Sequence, residues 1–198
     1  MSFVPAALAL YDGPGYVAKY LVPAFDLAVT QVKALPLPPV AMQVVESFLR
    51  VTPFHCMLMA VFITYACHIA GVFFTLLGSG GYDNVDGRSY TKKFQEKGGF
   101  AAKVSACASA AHQNGFETLL IFSAGVLSCV AVKVEMGLVA KLSQLFVVFR
   151  ALFSLIYIVQ PFFGPLATLV SLGRSGSWMG SIFTACCLIS LAAEKASL

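Results

Sequence analysis

The stretch 110-AAHQNGFETLLIF-122 sets His112, Gln113, Asn114 and Glu117 close together inside an otherwise apolar run. An imidazole, two amides and a carboxylate at that spacing could hold or protonate a ligand, or knit one helix to another. A charged side chain at mid-membrane costs ~2.5–3.5 kcal/mol on insertion scales, so Glu117 needs a partner. Arg150 is the available cation, apolar on both sides in 145-LFVVFRALFSLIY-157. Glu117 and Arg150 are therefore expected to form a structural ion pair, with Asn114 as a hydrogen-bonding neighbour. Tyr157 follows Arg150 at heptad spacing and falls on the same helix face. Two readings stay open on position alone. One is a buried pair that sets helix register; the other is a polar pocket for a charged ligand.

On a wheel at ~100° per residue, Lys103, Cys107, Ala110, Asn114 and Glu117 share one face. Gln113 flanks that face and His112 points nearly the opposite way. A stripe of small and polar residues in a membrane helix is expected to face other helices rather than lipid.

Other clusters carry less chemistry. His55-Cys56 and Cys67-His68 lie ~16 Å apart along a helix, too far to share a metal, and no metal site is expected. The glycines of 78-GSGGYDNVDG-87 lack the Gly-Lys-Ser/Thr that would open a phosphate-binding helix. Cys56, Cys67, Cys107, Cys129, Cys186 and Cys187 all fall in apolar segments. There they act as small hydrophobes, without disulfides or a redox pair.

The elements that must position these residues are membrane spans. The chain has 198 residues, 59% hydrophobic and 11% charged, with mean hydropathy +0.83. Soluble domains average about 25% charged residues. The net charge of +4 is modest, and no basic face interleaves with aromatics, which argues against a nucleic-acid partner. Apolar runs predict spans at residues 54–78, 100–132, 138–159 and 175–193, each long enough for a core of about 30 Å. The second run exceeds what a membrane needs, so it should tilt or project. Short connections give an up-down-up-down four-helix bundle, with the lipid bilayer as its surroundings. The segment 79-SGGYDNVDGRSYTKKFQEKGG-99 is expected to be a polar loop, and 173-GRSGSW-178 the entry to the fourth span.

Residues 1–52 form a separate N-terminal extension, ahead of a membrane domain at 53–198. Prolines and the turn-like 12-DGPG-15 interrupt the extension. Short interfacial helices are expected at 16–35 and 40–51, joined by an extended 36-PLPP-39. Orientation is not set by charge. Arg88, Lys92, Lys93, Lys97, Lys103 and Arg174 fall on one side, and Lys19, Lys33, Arg50, Lys133, Lys141 and Lys195 on the other. That is near balance under the positive-inside rule; the density of the first loop favours the cytosolic or equivalent side for it.

The order of a span, a loop with 81-GYDN-84 and Arg88, a second span with 111-AHQNGFE-117, then Arg150 and Tyr157 on the third resembles the MAPEG superfamily, the membrane-associated proteins in eicosanoid and glutathione metabolism. It is closest to divergent bacterial-type members, and the likeness covers about residues 54–193. The resemblance implies a four-helix bundle, usually a homotrimer, with glutathione held between protomers by arginines and its thiol activated by Arg or a hydroxyl. It carries the glutathione-site positions onto Asn114, Glu117, Arg150 and Tyr157, with Arg150 and Tyr157 as the catalytic candidates. Two arginines that the family places before the Ala-His core fall here on Cys107 and Ala110. A third, near the start of the fourth span, falls about Ala167. Bidentate arginine is the natural clamp for glutathione's two carboxylates, and Lys103 restores little of it. The resulting expectation is a catalytically degenerate member, serving as a structural subunit of a larger complex in an organellar or other internal membrane. The alternative is a glutathione-dependent transferase or peroxidase with a reorganised site.

Overall fold

The computed structural model describes residues 20–197. The 12-DGPG-15 turn and the start of the segment at 16–35 lie outside them. The described residues are helical, with no strand among them. The order is α1 (Val22–Ala34), α2 (Pro39–Leu49), α3 (Pro53–Ser79), α4 (Gly87–Lys97), α5 (Phe100–Ala131), α6 (Met136–Val159), a 3-10 segment (Gln160–Leu166) and α7 (Ala167–Ala196). The helical path from Met136 to Ala196 is 61 residues long. At 1.5 Å per residue a straight helix of that length would run ~90 Å, three times a bilayer core. It is broken at Gly164, whose φ of 49° and ψ of −120° leave the helical region, beside Pro161 and Pro165.

Two expectations about local structure are corrected. The segment 79–99 contains a helix, α4, where a loop was expected. Asp86 caps it by accepting from the Ser89 amide, and Phe94 is buried. Its apolar content is low, so hydropathy misses it; the cap and the spacing of Tyr90, Thr91 and Phe94 are the signal that was there. The fourth long helix begins at Ala167, about two turns before the expected residue 175. Gly173 and Gly176 lie inside it without crowding: a Cβ at Gly173 would meet Ile156 at 3.6 Å and one at Gly176 would meet nothing within 4 Å. A Cβ at Gly180 would come within 2.8 Å of the Phe149 ring, so a small residue is required there. Elsewhere, Leu35 (ψ 145°) and Pro38 (ψ 146°) make an extended link from α1 to α2.

The chain forms two compact units. The first takes residues up to Leu58 with Leu120–Val148 and Ser181–Leu198. Its core is mainly apolar, with Ser143, Gln144, Ser181 and Thr184 also buried. Phe122 of α5 stacks on Phe146 of α6, with centroids 3.9 Å apart and planes 8° from parallel. The Cys129 thiol of α5 donates to the Leu188 carbonyl of α7. A Cβ at Gly125 would meet Leu188 Cβ at 2.9 Å, so α5 and α7 are also in close contact. Gln144 donates to the Leu49 and Val51 carbonyls and ties down the α2–α3 junction. Lys141 pairs with Asp26 of α1 at 2.8 Å.

The second unit comprises Met59–Leu119 and Phe149–Gly180. Here α3 and α5 run antiparallel. Thr75 meets Ser105 at 2.9 Å, and a Cβ at Gly115 would lie 2.6 Å from Thr64 Oγ1. The helices α6 and α7 fold back on each other about the Gly164 break. Arg174 reaches Gln160, and Gly173 lies against Ile156. Cys67, Ala111 and Phe153 knit α3, α5 and α6, with Tyr157 and Ile158 packed against them.

Candidate functional site

All five residues singled out in the sequence fall in the second unit. Arg150, Phe153 and Tyr157 are spaced i, i+3 and i+7 on α6, so they stack along one face. The Arg150 guanidinium lies 4.5 Å from the Phe153 ring centroid. Phe153 meets Tyr157 edge to face at 5.3 Å. Arg174 of α7 then closes the row, 4.4 Å from the Tyr157 ring centroid, and its Nη1 donates to Gln160 at 2.9 Å. Two guanidiniums thus bracket two aromatic rings in a cation–π ladder, buried at Arg150 and Phe153, where exclusion of water strengthens it, and half-buried at Tyr157 and Arg174.

Arg150 is only 3% exposed, and its Nη1 has no hydrogen-bond partner. Glu117 lies within its electrostatic range but not in direct contact. The salt bridge found among the described residues is the one between Lys141 and Asp26. Glu117 and Arg150 are therefore neighbouring charges in this single chain, without the direct contact of the ion pair expected. The reason is the direction of the stripe. On α5 the buried face is Val104, Ala108, Ala111, Gly115 and Thr118, whereas Lys103 and Glu117 are exposed and Cys107, Ala110 and Asn114 are half-buried. The small-and-polar stripe lies along the edge of this packed face and opens outward at Glu117, where interior packing was expected.

Asn114 has a buried Oδ1 with no partner, and no hydrogen bond joins its side-chain N–H to Glu117. Cys67 lies beside Ser154 and within electrostatic range of Arg150. Cys107, at a position where the resemblance implies an arginine, lies within range of Arg174. His112 turns off the stripe to α3, its Nδ1 2.9 Å from the Thr64 carbonyl, with its ring 4.9 Å from that of His68. Among the described residues, no group of three His, Cys, Asp or Glu could hold a metal ion.

Sequence reasoning missed Arg174. It was placed in an entry loop, and a loop cation is easily assigned to water. Once the helix begins at Ala167, Arg174 stands two turns from that residue on the same face, directed at Tyr157. Phe153 and Gln160 were missed as well, since neither type signals a site without its neighbours.

The model of the MAPEG family matches residues 52–193, most of the chain. The chain belongs to the MAPEG family. A comparison with curated proteins gives no match, and one with solved structures gives none. The match embraces α3 to α7 and every residue of the ladder. It identifies a membrane protein of the glutathione and eicosanoid superfamily, an all-helical bundle with helices long and apolar enough to cross a bilayer. Cys107 and Ala110 stand where the resemblance implies arginines, and Arg174 lies two turns beyond Ala167 on the fourth long helix.

Proposed function

We propose that this MAPEG protein binds glutathione or a closely similar thiol peptide, at a site built on Arg150, Tyr157 and Arg174 and flanked by Asn114 and Glu117. The carrying observation is the orphaned Nη1 of buried Arg150. An unmade hydrogen bond to a buried charged group is expensive, and an anionic ligand oxygen or thiolate would satisfy it. The unpartnered Asn114 Oδ1 offers an acceptor for a ligand amide. Arg150 and Arg174 are the cations suited to the ligand's anionic groups, and the Tyr157 hydroxyl is the donor suited to its sulfur. Glutathione would contribute the nucleophilic thiol, making this a transferase- or peroxidase-type site. Exposed Glu117 supports a further point. A carboxylate on the open side of a span needs cover, and a neighbouring protomer, as in a homotrimer, would provide it.

A second reading has its own support. Cys107 and Ala110 stand where clamp arginines are implied, which favours a degenerate site and a structural subunit of a larger complex in an organellar or other internal membrane. Glutathione titration of the purified protein in mild detergent separates the two. The first reading expects saturable thermal stabilisation with growth of thiolate absorbance, both lost in Arg150→Met and reduced in Arg174→Gln. Absence of any response in the wild-type protein refutes it. Co-migration with a large native assembly would then carry the second.

A further inference from the structure

A cavity of about 680 Å³ opens on the other side of α5, between α3, α4 and the His112 face. None of its residues belongs to the Arg150–Arg174 ladder. Arg88 and Lys92 line it from α4, one turn apart and so on one helix face. Thr91 and Tyr82 add donors, and no carboxylate lines the wall. Of the nearby acids two are engaged, while Glu96 stands one turn beyond Lys92 on α4 and makes no salt bridge to it. Asp83 accepts from the Val85 and Asp86 amides, and Asp86 caps α4. Neither Arg88 nor Lys92 makes a salt bridge to a described residue. The wall from α3 and α5 is mixed: Val72 and Phe116 are its large apolar side chains, beside His68, Ser109, His112 and Gln113. Val72 lies seven residues before the end of α3 at Ser79 and Phe116 sixteen residues after the start of α5 at Phe100, so these side chains sit ~10 Å and ~24 Å down their helices.

We propose that this cavity binds the phosphate of an anionic phospholipid headgroup, with Arg88 and Lys92 as its cationic clamp and the acyl chains leaving over Val72 and Phe116. A basic pocket between membrane helices, at headgroup depth, suits that chemistry, and arginine provides the bidentate geometry for phosphate. α4 is held in place for the task. Phe94 is buried against Gly78, whose Cβ would come within 2.5 Å of the ring. Gln95 is fastened to Ser105 and Ser109 of α5. A free phosphate shares the headgroup chemistry but would leave Val72 and Phe116 uncovered.

The test uses the full chain in neutral detergent, with lipid binding read by native mass spectrometry and thermal stability. Phosphatidylglycerol is compared with phosphatidylcholine of the same acyl chains, and sodium phosphate is added as competitor. The expected result is retention of phosphatidylglycerol over phosphatidylcholine, weakened roughly tenfold or more in R88Q/K92Q, in which two exposed charges are lost. K92Q alone should give a smaller loss in the same direction, which guards against misfolding of the double variant. Phosphate that displaces the lipid and stabilises the protein by itself, with the same dependence on Arg88 and Lys92, supports the site and assigns it to soluble phosphate. Equal retention of both lipids, or undiminished phosphatidylglycerol binding in both variants, overturns the proposal.

Discussion

The two compact units are built from stretches of the same four long helices, yet their interiors differ. In the first, buried positions go to large apolar side chains such as Phe122, Phe146, Leu142, Leu188 and Leu191. In the second, the buried set is dominated by small and polar residues: Ala102, Ala108 and Ala111 beside Thr64, Thr75, Ser105, Thr118, Ser154 and Arg150. Dispersion between well-packed side chains holds the first together. The second relies on close backbone approach and on hydroxyls bonded along and between helices. It also accommodates the single buried arginine. One unit therefore reads as anchor and the other as site.

The largest effect should come from emptying the anchor. Phe146→Ala removes one ring of the Phe122–Phe146 stack and should cost about 3–5 kcal/mol, seen as a steep fall in melting temperature in detergent. If the loss were small, the first unit would not be the stabilising one. Crowding the close contact in the second unit comes next. Gly115→Ala pushes a methyl to 2.6 Å from Thr64 Oγ1 and should cost about 1–3 kcal/mol. Adding Thr64→Ala should recover most of that loss, and failure to recover would place the strain elsewhere. Arg150→Met is expected to have the opposite sign. Replacing an incompletely bonded buried charge by an apolar side chain should raise ligand-free stability, by roughly 1 kcal/mol, while abolishing any response to glutathione. A destabilised Arg150→Met would mean that the guanidinium serves packing rather than ligand. The smallest effect should follow Lys141→Ala. Its salt bridge to Asp26 has side chains 40% and 51% exposed, so it should contribute below about 1 kcal/mol and fade with added salt. A large loss would show that α1 is fastened to the first unit more firmly than one surface pair allows.

The legible parts of the chain were those governed by composition over long windows. The expected spans at 54–78, 100–132 and 138–159 differ by at most two residues at either end from α3, α5 and α6. Apolar runs bounded by Pro53, Gly98–Gly99 and Pro161 leave little freedom in where a helix starts or stops. α4 was not legible by hydropathy, because a short charged helix declares itself through its Asp86 cap and the placement of Phe94. The start of α7 was hidden because glycine signals both a turn and a close helix contact. Of its glycines, Gly180 is fixed by the Phe149 ring, whereas Gly173 and Gly176 are uncrowded and sit in the helix without a turn. Of the candidate site, Arg150 and Tyr157 could be paired from their spacing. Arg174 could not, since its approach to Tyr157 requires α7 to fold back on α6.

The stretch around His112 shows where the division falls. Residue types and helical period alone place His112 off the stripe that holds Asn114 and Glu117, because side-chain direction along a helix follows from its fixed rotation per residue. They also require Glu117 and Arg150 to answer to some counter-charge, because lipid solvates neither. Which groups meet is a different matter. Contacts between helices depend on the rotation and separation of whole elements, and these follow from small residues such as Gly115 and Gly180 as much as from the charged ones. Tertiary structure thus set Arg150 on Phe153 and Arg174 on Tyr157, and left Glu117 facing outward.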